Sequence, residues 1–97
     1  MARFDVYKMD GGTVVDCQTD ILRHLKTRFV IPLLPEELEP PETEILNPSF
    51  LIEGSHYVLF PQFASSVRVS DLNVKVSSLA DNDTEIMRAI DMLVSGF

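Results

Sequence analysis

Helical periodicity is confined to the end of the chain, and this restricts the fold more than any other feature. Ile86, Ala89, Ile90 and Leu93 recur at i, i+3, i+4 and i+7, which is one apolar face of a helix. Asn82 stands as its N-cap, with Glu85 three residues later to complete a capping box. Asp83 and Glu85 complement the dipole at its start. Gly96 is placed to end it with a left-handed residue, leaving Phe97 as the last side chain. A chain with a single C-terminal helix must build the rest of its core from strands.

The remainder divides into short strand-like pieces. Phe4 and Val6 alternate with Arg3 and Asp5, the two-residue period of a half-buried strand. Gly11-Gly12 supplies a turn, and Val14-Val15-Asp16-Cys17 reads as the returning strand, ended by Thr19-Asp20. Arg28 to Leu33 is apolar almost throughout and reads as a strand buried on both faces, with Pro32 indicating a sheet edge or a bulge. Phe50-Leu51-Ile52 and Tyr57-Val58-Leu59-Phe60 flank Gly54-Ser55, read as a two-residue hairpin turn. Val67 and Val69, then Val74 and Val76, mark two more short strands around Asp71-Leu72-Asn73. The pattern predicts a mainly β fold: an antiparallel sheet, curled into a small barrel and closed by the C-terminal α-helix.

The excursion between these pieces carries most of the charge imbalance. Residues 35–48 hold four prolines, which exclude a regular helix or a central strand. They also hold Glu36, Glu37, Glu39, Glu42 and Glu44 with no basic residue among them. The whole chain has a formal net charge of −7, so a nearly neutral body carries one acidic loop. Such a balance provides no basic patch for nucleic acid, because phosphate neutralisation by Lys and Arg supplies most non-specific affinity. Direct nucleic-acid binding by the chain alone is not expected.

Length and composition set the remaining bounds. The chain has 97 residues, a size that predicts one domain spanning 1–97. No apolar run approaches the length of a membrane span and the start has no signal-peptide pattern, so no membrane association is expected. A lone cysteine, Cys17, rules out an internal disulfide and fits a reducing cytoplasm.

Catalytic chemistry finds little support. His24 and His56 are the only histidines, and neither has a metal-ligand spacing with Cys17 or with the other. No metal or cofactor is expected. His56 reads as a surface residue of the hairpin, and His24 as part of a solvated basic loop with Arg23, Lys26 and Arg28. Cys17 follows the strand pattern and reads as a small core residue rather than a nucleophile. No nucleophile elbow, phosphate-binding loop or dinucleotide fingerprint occurs. Apolar groups without a core role are more informative: Ile21-Leu22 beyond the second strand, and Val94 and Phe97 at the helix end. Each either folds back onto the core or meets a partner.

Three strings together resemble the CcdB toxin family: Val15-Asp16-Cys17-Gln18-Thr19-Asp20-Ile21-Leu22, Arg28-Phe29-Val30-Ile31-Pro32-Leu33, and the terminal helix through Ala89-Ile90-Asp91-Met92-Leu93 to Gly96 and a hydrophobic last residue. The resemblance runs nearly the length of the chain. It implies an SH3-like five-stranded antiparallel barrel with a small extra sheet and a C-terminal helix. It also implies a non-enzymatic toxin of a toxin–antitoxin module, active as a homodimer, that binds the A subunit of DNA gyrase and traps the enzyme on cut DNA. A CcdA-like antitoxin would neutralise it, and the pair would repress their operon. Carried over by position, the gyrase-binding residues are Ile21, Leu22, Asp91, Val94, Ser95, Gly96 and Phe97. The chain departs from the family at Ser95, where its best-known members have a Trp that stacks on a gyrase arginine, and at Asp91, where Asn is common. Two other readings follow from the same resemblance. One is an endoribonuclease toxin on the same barrel, as in the related Kid and MazF toxins. The other is a toxin remnant that binds only its antitoxin.

Overall fold

A computed structural model of the chain describes residues 2–96. Seven strands precede one helix: β1 Asp5–Met9, β2 Gly12–Asp16, β3 Thr27–Pro35, β4 Ser49–Ile52, β5 Ser55–Leu59, β6 Ser65–Arg68, β7 Val74–Ser78 and α1 Asp83–Ser95. All pairings are antiparallel, in the order β4-β5-β3-β2-β1-β7, with β6 branching from β3. The mainly β fold with one C-terminal helix is therefore as expected. Its barrel is a curled half-barrel, which the β4–β5 hairpin and β6 both join through β3.

Strand alternation sorts the core into two layers. Val6, Val15, Ile31 and Leu33 face one side and pack with Ile52, Leu59 and the helix residues Ile86 and Ala89. Tyr7, Val14 and Val30 face the other side, where Leu72 and Val67 fold over them. β3 is thus buried on both faces, as its unbroken apolar run predicts. Pro32 marks neither an edge nor a bulge. β2 pairs along one side of β3, while the other side passes from β6, ending at Val30↔Ser65, to β5, beginning at Leu33↔Leu59. Pro32 sits at that handover, where its missing N–H leaves no ladder bond unmade, and its carbonyl accepts from Phe60 N–H at 3.1 Å.

Four other local expectations shift. The first is the opening alternation, which fails because Asp5 is as buried as its neighbours; β1 starts there, and Phe4 precedes it at φ 71° to reach the core. In the β1–β2 hairpin, Met9 pairs with Gly12, so Asp10-Gly11 makes the turn and Gly12 opens β2. The β4–β5 hairpin turns at Glu53-Gly54, one residue earlier than expected, because Ile52 pairs with Ser55. Both turn residues have positive φ (50° and 84°), the requirement of the turn whose twist matches a hairpin. Finally, Asn82 does precede α1, but its side chain makes no capping bond; its amide instead meets Glu85 Oε1 at 3.4 Å. The capping box is absent.

The acidic excursion is exposed over 36–45 and has no regular structure, as four prolines dictate. Its anchor is Asn47, 1% exposed, whose amide donates to Leu59 C=O and Gln62 Oε1 and accepts from Glu42 N–H.

Candidate functional site

β2 ends in a buried carboxylate. Asp16 is fully buried, and Arg28 on β3, 1% exposed, places Nε and Nη2 both 2.7 Å from its Oδ2. One oxygen therefore serves two guanidinium nitrogens, and only the Nε contact has hydrogen-bond geometry; Nη2 has no hydrogen-bonding partner. Burial holds the Asp16 carboxyl above the usual range, outweighing the Arg28 bond that favours its charged form. Tyr7, on the same layer, is raised by burial and by the Asp5 and Asp16 charges.

Beyond Asp16 the ladder ends irregularly. Cys17 N–H donates to Phe29 C=O at 2.8 Å, but the reciprocal Phe29 N–H goes to Gln18 Oε1 at 3.0 Å. The Cys17 carbonyl accepts instead from Arg3 Nε at 3.3 Å. Gln18 Nε2 reaches forward to Leu22 C=O at 3.1 Å, and Asp16 Oδ1 accepts from Gln18 N–H at 3.1 Å. Asp20–Leu22 form a single 3-10 turn, with the Thr19 hydroxyl accepting from Ile21 N–H. That turn leaves Ile21 83% and Leu22 41% exposed.

At the other end of the chain, Ile86 and Ala89 are fully buried and Ile90 is half-buried. The stripe then leaves the core: Leu93 is 47% and Val94 76% exposed, and Asp91, Ser95 and Gly96 are exposed with them. Gly96 closes the helix at φ 77°, its N–H shared between the Asp91 and Met92 carbonyls. Phe97 lies outside the described residues.

Arg3 bridges the start of the Asp20–Leu22 turn and the first half of α1. Its backbone N–H donates to Asp20 Oδ1 at 3.0 Å, and its Nη2 reaches Met87 Sδ on α1 at 3.0 Å. Among the described residues no hydrogen bond or ion pair joins Ile21-Leu22 directly to residues 91–96. The sequence gives neither Arg3 nor Gln18 a site role: Arg3 reads as a polar position of the first strand, and Gln18 enters only within the string that carries the family resemblance.

Several sequence readings of single residues can now be set beside their surroundings. Cys17 is 4% exposed, and burial together with the Asp16 charge pushes its thiol up to about 12, which makes it an inert core residue. His56 is an exposed hairpin residue opposite Leu51, as read. His24 is exposed. Arg28 is not the solvated loop residue expected; it is locked inside against Asp16, so it has no free face for a nucleic-acid substrate. Among the described residues no three His, Cys, Asp or Glu side chains gather in a way that could hold a metal. No helix among them is long and apolar enough to cross a membrane.

No curated protein matches the chain. The family model described as CcdB protein matches residues 3–96, taking in both β2–β3 strings and the whole of α1. On that match the chain belongs to the CcdB family, the toxin component of toxin–antitoxin modules.

Proposed function

We propose that this chain is a gyrase poison that binds the A subunit of DNA gyrase through Ile21 and Leu22 on one side and Asp91, Val94, Ser95, Gly96 and Phe97 on the other. The observation that carries this reading is the placement of Ile21 and Val94. Each is a β-branched apolar residue more than three-quarters exposed, at 83% and 76%, and each is held on a hydrogen-bonded turn or helix. Covering such a side chain contributes roughly 1.5–3 kcal/mol, and little entropy is lost because the backbone beneath it is already fixed. The mechanism makes and breaks no covalent bond in the toxin. It stabilises by contact the state in which gyrase has cut DNA, and the cut is gyrase's own.

The active form in this reading is a twofold homodimer that buries Met92 and Leu93 and leaves Val94 to gyrase. A CcdA-like antitoxin neutralises it by covering the same surface. Incubating supercoiled plasmid with gyrase, ATP and this protein tests the proposal. Linear DNA released on protein denaturation supports it, and its absence with gyrases from several bacteria overturns it. Ser95 favours a second reading, a chain that retains antitoxin binding alone, because a hydroxyl cannot stack on a cation as an indole does. Tight antitoxin binding together with no linear DNA would select that reading.

A further inference from the structure

Gln18 is the residue on which the loop bearing Ile21 and Leu22 depends. Its carboxamide has two arms, and the chain uses both. Oε1 takes the Phe29 N–H at 3.0 Å, the bond that a regular ladder would have given to the Cys17 carbonyl. Nε2 donates a hydrogen bond to Leu22 C=O at 3.1 Å, an acceptor that also receives Leu25 N–H at 3.1 Å. One side chain thus replaces the last rung between β2 and β3 and grips the crest of the loop between them. Its own backbone N–H is held by Asp16 Oδ1 at 3.1 Å, and Asp16 is held by buried Arg28. The chain of contacts runs from a fully buried ion pair to two exposed apolar side chains.

We propose that Gln18 is a positioning residue for partner binding, setting the conformation in which Ile21 and Leu22 are presented; this rests on the gyrase reading of that loop. Neither arm is replaceable by the other. An acceptor alone secures Phe29 but leaves the Leu22 carbonyl held only by the Leu25 N–H within its own turn, and the crest then samples conformations that bind only after reordering. Affinity falls by the fraction of time the loop is out of place.

Two variants separate the arms. Gln18→Glu keeps the acceptor for Phe29 N–H and loses the donor to Leu22; Gln18→Ala loses both. Amide exchange by NMR on the full chain reads the loop without any partner. Loss of a single net hydrogen bond corresponds to roughly fivefold faster opening. Gln18→Ala is expected to accelerate Phe29 and Leu25 exchange by at least that factor. Gln18→Glu is expected to accelerate Leu25 while sparing Phe29, with amides of Val6, Val15 and Ile31 unchanged in both. Linear-DNA yield at limiting toxin should fall severalfold for Gln18→Glu, although its thermal unfolding midpoint stays near the parent value. Unchanged Leu25 exchange in both variants, or full yield from Gln18→Glu with a loosened crest, overturns the positioning role. Should the parent protein release no linear DNA, the gyrase reading fails separately, and the exchange pattern still decides whether Gln18 holds the loop.

Discussion

Asp16 and Arg28 carry opposite charges into an interior that would otherwise exclude both. Removing one partner of such a pair leaves the other uncompensated, which typically costs about 3 kcal/mol or more. Arg28→Ala is therefore expected to destabilise the protein by about that amount at neutral pH, measured by urea unfolding. The pH dependence has a definite sign. Burial raises the Asp16 carboxyl above its ordinary value of 3.8, so the native state takes up a proton at higher pH than the unfolded chain does. This group's contribution to stability therefore rises as pH falls from the raised value toward 3.8. A protonated Asp16 needs no counter-ion, and the deficit of Arg28→Ala should shrink in mild acid. A deficit that is constant with pH would show that Asp16 is not the group left unpaired. In the sequence Asp16 reads as one residue of the second strand and Arg28 as the first of the third, with nothing to mark them as partners. Their pairing across 12 positions depends on the β2–β3 register, which no local pattern encodes.

At the level of elements, local periodicity was a sufficient guide wherever one rule acts alone. The α1 stripe and its glycine stop were legible because helix spacing and left-handed caps are short-range. Capping by Asn82 was misread for a physical reason. The preceding 3-10 turn, Ala80–Asn82, leaves Asn82 at φ −111° and ψ 20°, away from the extended backbone typical of a capping residue. The β4–β5 turn was placed one residue late because Glu rarely adopts the positive φ that Glu53 has, so glycine drew the turn toward itself. Pro32 reads as an edge or a bulge because the sequence cannot reveal that a strand changes partners midway. The helix end supplies the next prediction. A Cβ at Gly96 would meet nothing within 4 Å, so substitution there strains only the backbone. Gly96→Glu should cost about 1–2 kcal/mol and lower Tm by roughly 5–10 °C, yet abolish linear-DNA release by setting a charge among contact groups. Retained release with the expected Tm would remove the helix end from the binding surface.

For the whole molecule, exposure separates what was legible from what was not. Ile21 and Val94 could be recognised as unpartnered because neither fits the period of its element. The contact of Arg3 with Met87 on α1 could not, since it spans 84 positions. The half-exposed Leu93 beside Val94 has the same origin: the last turns of α1 run past the core they pack on. A twin covering that overhang accounts for apolar groups that a 97-residue chain has no interior left to hold. Sedimentation at micromolar concentration should give twice the 10.9 kDa chain mass, and a value near 10.9 kDa would refute the dimer.

The tether at Asn47 bears on how the chain tolerates cutting. Both banks of the acidic excursion are secured independently of its tip: Pro35 pairs with Tyr57 on one side, and Asn47 grips Leu59 and Gln62 on the other. Scission at Pro40-Pro41 would sever a covalent link but no rung of the sheet. The two pieces, one ending β3 and the other beginning β4, would remain clasped along β3 and β5. The tip is accordingly the natural place for a split-protein reporter, or for new chain termini in a circular permutant, with the exposed Ile21 and Val94 left untouched.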